Sequence, residues 1–318
     1  MFKILKKFAT PLIILLFISV SAVAGGKLNV VTTLPDFADI AKQVGGDKVE
    51  AFAIAKGYQD PHFVDPKPSY IIKLQKADMF VHAGLDLEIG WVPPLIEGAR
   101  NANILPGAKG NVDASKGVQL LEVPSGDPAQ LRAQGDIHVY GNPHYWLDPV
   151  RGKKIAENIC AALSRLQPQD EAYFKSNLEA FVNKIDAKLA EWQALMQPYD
   201  GAKIVAFHNS WPYFDDRFGF NIVAFIEPKP GIPPTPKHLA EIINKMNQIG
   251  VKVIIVEPYY SKDPCTLVAS KTGAKVLDLA TAVDGAPEVK SYLEVFDYNL
   301  KKLVAAFQQT GEAGNNGK

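Results

Sequence analysis

Only two cysteines, Cys160 and Cys265, occur in 318 residues, and they stand too far apart to form a CxxC pair. That excludes a cysteine-based zinc or dithiol redox motif. Whether the two pair with each other depends on geometry that spacing does not supply. Neither sign of charge is in excess, since 34 Lys and Arg face 34 Asp and Glu. A chain so balanced lacks the basic stripe of a nucleic-acid binder. HExxH is absent, and so is the GxSxG elbow of a serine hydrolase. There is no repeat or stalk, and the apolar run Leu12 to Val20 stops short of a bilayer's width.

That run reads as the core of a secretory signal over residues 1–24. Lys3, Lys6 and Lys7 supply the positive start, and Ala22-Val23-Ala24 is a small-x-small cleavage site. No cysteine follows it, so lipid attachment there is not supported. Cleavage leaves 294 residues in which 31 basic side chains face 34 acidic ones. The expected product is soluble and periplasmic, and long enough for two lobes.

Strands alternate with helices from the start. Lys27 to Thr33, Val49 to Ala55 and Asp78 to His82 read as strands, with helices over Asp36 to Val44 and Pro68 to Lys76. This spacing indicates a parallel sheet with helical crossovers. Gly107 to Gly141 is irregular. Val150 to Leu166 and Asp170 to Met196 are helical, the second amphipathic, with Ala180, Ile185, Leu189 and Trp192 near one face. It suits a spine between lobes or a helix packed on one of them. A second strand set follows at Lys203 to Phe207, Asn221 to Ile226, Val251 to Val256 and Lys275 to Leu277, with helices near Trp211 and over Pro236 to Gln248. The expected architecture is α/β: a lobe at 25–149, a helical connection at 150–199, a lobe at 200–309 and a polar tail at 310–318.

Six histidines are present, and two of them share a context. Asp60-Pro61-His62-Phe63-Val64-Asp65-Pro66 and Asn142-Pro143-His144-Tyr145-Trp146-Leu147-Asp148-Pro149 each set a histidine behind a carboxylate or amide and a proline. His208 follows the apolar run Ile204 to Phe207. Open α/β sheets bind ligands beyond the carboxyl ends of their strands, where His62, His208, Glu257 and Asp278 all fall. Separations of 82, 64 and 70 residues along His62, His144, His208 and Asp278 exclude a local zinc finger. One site in a cleft between lobes is the economical arrangement. Any one histidine alone is more often a hydrogen-bonded core or surface residue. His82 is expected to line the site, His138 to serve as a transient ligand, and His238 to be a solvated surface residue. Tyr145, Trp146 and Trp211 read as packing around the site.

These motifs, together with Ala206-Phe207-His208-Asn209-Ser210-Trp211-Pro212-Tyr213-Phe214, Ile226-Glu227-Pro228-Lys229-Pro230-Gly231 and Val256-Glu257-Pro258, resemble the metal-binding proteins of bacterial zinc/manganese ABC importers. The resemblance covers nearly all of the mature chain. It implies two α/β lobes joined by a long rigid helix, a metal held in the inter-lobe cleft, and delivery to a cognate ABC permease in the inner membrane, with a periplasmic zinc chaperone as a further partner and the chain itself a monomer. It implies His62 and His144 as ligands from the first lobe. The position of His208 is typically His in zinc members and Glu in manganese members, which points to Zn²⁺ as the transported ion. Imidazole nitrogen suits zinc, and oxygen donors suit manganese.

The chain departs from that family in two places. The segment before His144 holds one histidine, His138, in place of a His-rich loop. The usual aspartate after the last strand falls nearer Ala280, which leaves Asp278 as the available fourth ligand, with Glu227, Glu257 or a water as replacements. Asp65 and Asp148 are candidates to orient the imidazoles. Competing readings are a manganese or iron binder of the same class, a zinc hydrolase with a three-histidine site and Glu257 as base, and an adhesin using the same fold.

Overall fold

The computed structural model describes residues 26–127, 130 and 138–312. The expected signal at 1–24 and the tail beyond 312 lie outside the described residues. The first half runs β1 (Leu28–Thr32), α1 (Pro35–Gly45), β2 (Val49–Ala53), α2 (Pro68–Gln75), β3 (Met79–His82), α3 (Val92–Ala99) and β4 (Asn111–Asp113). Two helices follow, α4 (Pro149–Leu166) and α5 (Glu171–Met196). The second half is β5 (Lys203–Ala206), α6 (Pro212–Phe218), β6 (Asn221–Phe225), α7 (Pro236–Ile249), β7 (Val253–Val256), α8 (Asp263–Thr272), β8 (Lys275–Asp278) and α9 (Tyr292–Thr310).

Each half builds one four-stranded, wholly parallel sheet. The orders are β2-β1-β3-β4 and β6-β5-β7-β8, so the two lobes repeat one topology. In both, the chain reverses direction across the sheet beside its first strand, which opens a crevice at the carboxyl ends of β1 and β5. Proline opens the first turn of α1, α2, α3, α4, α6, α7 and α8. A residue with fixed φ and no N–H loses nothing there, because that N–H has no partner within the helix.

Several elements differ from the sequence pattern. β4 lies inside the stretch read as irregular; three residues are too few to show alternation, and pairing with β3 defines the strand. The helices α3, α8 and α9 have no counterpart in that reading. The buried face of α5 carries Phe174, Phe181, Ile185, Trp192 and Met196, while Ala180 is exposed. The aromatic side chains turn that face away from the Ala180 position because they bury more apolar surface. Cys160 and Cys265 are buried and unpaired.

The lobes share one apolar core. A single buried cluster runs from Val30, Phe37 and Phe80 through Trp146, Phe174 and Trp192 to Ile204, Trp211 and Phe296. A smaller cluster under α7 and α8 belongs to the second lobe alone. Direct hydrogen bonds cross the seam. The Trp146 indole donates to the Thr281 carbonyl (2.8 Å), and the Tyr292 hydroxyl donates to the Trp146 carbonyl (2.6 Å). Asp39 accepts from Tyr292 N–H (2.9 Å) and Asp36 from Val283 N–H (3.3 Å). Asp148 caps α4 through Val150 N–H and also binds Arg151 of its own helix and Arg217 of α6.

Backbones touch at this seam. A Cβ on Gly57 would lie 2.0 Å from the Val283 carbonyl oxygen and 2.4 Å from Gly285 N. Gly57→Ala should therefore lower stability by about 1–3 kcal/mol in urea unfolding. Gly90→Ala, where a Cβ meets nothing within 4 Å, is the matched control. Equal midpoints for the two variants would contradict the close approach.

Burial raises the Asp36 carboxyl from 3.8 to about 8, against hydrogen bonds from its own backbone and from Val283. The unfolded chain loses this proton near 3.8, while the folded chain keeps it until about 8. Stability from the neutral acid is thus fully present at low pH and is lost as pH rises through that window. Asp36→Asn should gain on the parent from about pH 5 to about pH 8, by up to ~1.4 kcal/mol per pH unit. A pH-independent difference in urea midpoints would count against the buried proton.

Candidate metal centre

His62 and His144 sit in the same local device. The Asp60 carboxylate accepts from His62 N–H (3.0 Å) and from His62 Nδ1 (2.7 Å). The Asn142 carbonyl oxygen Oδ1 accepts from His144 N–H (3.0 Å) and from His144 Nδ1 (2.9 Å). The intervening proline, with its restricted φ, stiffens the turn that the Asx side chain closes. One side chain thereby holds both the backbone and the ring of the histidine two residues on. The Trp91 indole donates to the Pro61 carbonyl (2.9 Å), and the Tyr213 hydroxyl to the Asn142 carbonyl (2.7 Å), so both turns are anchored to the core.

His208 comes from the other lobe, two residues beyond the end of β5. Glu227, after β6, accepts from its Nδ1 at 2.5 Å. The second Glu227 oxygen accepts from Gly231 N–H (2.8 Å), which closes the Pro228-Lys229-Pro230 loop onto the carboxylate. Tyr260 of the second lobe donates to the free oxygen of Asp60 (3.2 Å), a link between lobes beside the histidines.

The three imidazoles meet. His62, His144 and His208 are all buried, and one candidate ligand atom from each lies within 4.8 Å of the others. Ring centroids are 5.2, 5.4 and 5.5 Å apart. With each Nδ1 held by an acceptor, Nε2 is the atom left to converge. Among the described residues, His144 Nε2 is buried without a hydrogen-bond partner. Buried polar atoms are rarely left so, and an orphan at a convergence of imidazoles suits an ion. His144 and His208 also line a cavity of about 220 Å³ with His138, Asn142, Asn209 and Glu122.

Burial, then the neighbouring His62 and His208, hold the His144 pKa well below its ordinary value. Burial, then the same two imidazoles, push His138 down to about 3. Burial also opposes the charged form of His208, but the hydrogen bond to Glu227 and the charges of Glu257 and Asp60 outweigh it, so its pKa is raised. Asp60 is desolvated as well, yet the His62 contact keeps its pKa below the ordinary carboxylate value. A neutral His144 offers its lone pair at neutral pH.

Other residues singled out from the sequence fall elsewhere. Asp278 ends β8 at the sheet edge, two strand positions from β5, and its side chain is paired with Lys262 (2.6 Å) and half-exposed. It is not in the three-histidine group. Ala280 is buried, and its backbone is matched to Asn299. Glu257 is fully buried beneath Trp211, whose indole donates to it (2.8 Å); burial raises its pKa to about 7. Asp65 is exposed and Asp148 is bound to two arginines, so neither stands behind an imidazole. Asp60, Asn142 and Glu227 do that instead. His82 stacks on Phe80 and meets Asn111, outside the cluster. His238 is half-buried and hydrogen-bonds the Phe225 carbonyl rather than standing in solvent. Tyr145, Trp146 and Trp211 are fully buried packing residues.

The chain matches the family model described as zinc-uptake complex component A, periplasmic, over residues 30–306. It is 28% identical over 286 residues to the manganese ABC transporter substrate-binding lipoprotein PsaA of Streptococcus pneumoniae, covering 87% of this chain and 88% of that protein. It is 27% identical over 299 residues to the zinc-binding lipoprotein AdcA of a serotype 4 strain of the same species, covering 91% of this chain and 58% of AdcA. A crystal structure of ZnuA superposes with a TM-score of 0.74 at 24% identity over 88% of this chain and 99% of that one, which shows the same fold of two α/β lobes with a long helix. With most of its length inside the family model and its lobes in that fold, the chain belongs to the zinc-uptake component A family and is a metal substrate-binding protein of an ABC importer.

Proposed function

We propose that this protein captures Zn²⁺ in the periplasm and delivers it to a cognate ABC permease in the inner membrane, with His62, His144 and His208 as ligands through Nε2. The observation that carries this reading is the buried Nε2 of His144, unpartnered among the described residues, at the convergence of three oriented imidazoles. Zinc takes imidazole nitrogen at about 2.0–2.1 Å in a tetrahedron, so two ligand atoms sit about 3.3 Å apart. Small inward movements of rings already within 4.8 Å of each other would meet that requirement. Asp60, Asn142 and Glu227 would fix the tautomer and direction of each ring, as outer partners do at zinc sites.

Manganese is the second reading, on the ground that PsaA, a relative matched over most of the chain, is named for it. Manganese favours oxygen donors. Here Asp60 and Glu227 are turned to other partners at both oxygens, and Glu122, which lines the cavity, accepts from Asn142 and Asn209 and stays outside the three-histidine group. A hydrolase reading fares worse: its base would be Glu257, which is fully buried under Trp211 and does not line the cavity. The ion is cargo in this proposal. Exposed Phe63 and Ile89 beside the His62 turn form an apolar rim suited to a protein partner such as the permease.

Competition against a chelator of known affinity tests the metal. The metal-stripped protein should bind one Zn²⁺ and hold Mn²⁺ far more weakly, and His62→Ala, His144→Ala and His208→Ala should each abolish tight binding while the apo protein still melts cooperatively. Tighter manganese binding would reject the zinc assignment.

Glu227→Gln keeps a side-chain acceptor for His208 but removes the charge. Zinc affinity should fall by about 10–100-fold. An unaltered affinity would mean that Glu227 does not tune this ligand.

A further inference from the structure

We propose that His138 supplies the fourth metal ligand, through Nε2, so that the ion is held by four imidazoles and no carboxylate. The inference rests on the reading of His62, His144 and His208 as the first three ligands. It starts from a gap: among the described residues no carboxylate oxygen joins the trio within 4.8 Å. Asp60 gives one oxygen to His62 and the other to Tyr260. Glu227 gives one to His208 and the other to Gly231 N–H. Glu122 lines the cavity and accepts from Asn142 and Asn209 at one oxygen, Glu257 gives one oxygen to Trp211, and Asp278 gives one to Lys262 at the sheet edge; none of the three joins the trio.

One more imidazole stands at the site. His138 Nε2 lies 3.1 Å from His62 Nε2, close to the spacing of about 3.3 Å that two nitrogens take on tetrahedral zinc. Its ring centroid is 5.1 Å from that of His62 and 6.3 Å from that of His144. It lines the same cavity as His144 and His208. His138 is half-buried where the other three are buried, and it stands just outside the tight group, so ligation needs a short inward movement of one ring.

The hydrogen bonds favour that movement. A carboxylate only accepts, so Asp60 assigns the His62 proton to Nδ1 and leaves a lone pair on Nε2. His138 turns its Nε2 toward that lone pair, and a cation between the two nitrogens satisfies both. A four-nitrogen set also sharpens selection, since it offers manganese no anionic oxygen while suiting zinc.

The test uses the mature, metal-stripped chain and its His138→Ala and His138→Gln variants, with His62→Ala, His144→Ala and His208→Ala in parallel. Readouts are the zinc Kd, the imidazole count from zinc X-ray absorption, and the visible spectrum of the Co²⁺ form. Wild type should show four imidazoles and the intense bands of four-coordinate cobalt. Both His138 variants should show three imidazoles with one oxygen donor, and zinc Kd should rise about a hundredfold or more, at or above the range for losing an outer partner. If both bind zinc like the parent with an unchanged imidazole count, while the other three variants fail to bind, the fourth-ligand proposal is overturned and the trio stands. If His62→Ala, His144→Ala and His208→Ala also bind like the parent, the trio reading fails and takes this proposal with it.

Discussion

Trp146 holds the seam on which the site depends. Its indole donates to Thr281 in the second lobe, and its carbonyl receives the hydroxyl of Tyr292 at the start of α9. Its ring packs edge-on against Phe37 and at a tilt against His144, two residues earlier in the chain. Two of the three converging histidines come from the first lobe and one from the second. Their separation is therefore no better defined than the contact between lobes. A continuous apolar core, with Trp146 fully buried inside it, makes that contact a packed interior. Wide opening would expose the core, so movement on metal exchange is expected in the loops that carry the histidines.

Orientation is solved separately from position. Each ring is held at Nδ1 by an acceptor of different chemistry: a carboxylate at His62, an amide at His144 and a second carboxylate at His208. The two Asx-Pro-His turns do this within three residues, so ring direction is set by local chain chemistry. His208 needs a partner 19 residues away, and the fold supplies it by placing β6 next to β5. The electrostatics follow from the same contacts. The amide leaves His144 neutral under burial, while the carboxylate holds the His208 pKa up.

Much of this was legible before the fold. The alternation of strands and helices pointed to parallel sheets. The repeated Asx-Pro-His pattern pointed to His62 and His144, although its residues before the proline, Asp60 and Asn142, act as the orienting acceptors in place of Asp65 and Asp148. Asp278 shows where such reading stops. It follows a strand as a ligand should, but the strand lies at the sheet edge and Lys262 neutralises the side chain. Strand order is a long-range property, and a strand-end residue looks alike in sequence whether its strand is central or at the edge. β4 was hidden for a related reason, since only pairing with β3 distinguishes it from a loop.

The sequence by itself determined the local features: where helices begin, which residues alternate in strands, and how two turns grip their histidines. Those are decided by φ restriction, missing donors and hydrogen bonds spanning two residues. Only the tertiary structure decided that Asp278 pairs with Lys262, that Glu227 serves His208, and that His138 stands 3.1 Å from His62 across 76 residues of chain. Those contacts arise from the packing of two sheets against one shared core, and their distances depend on where every intervening element comes to rest.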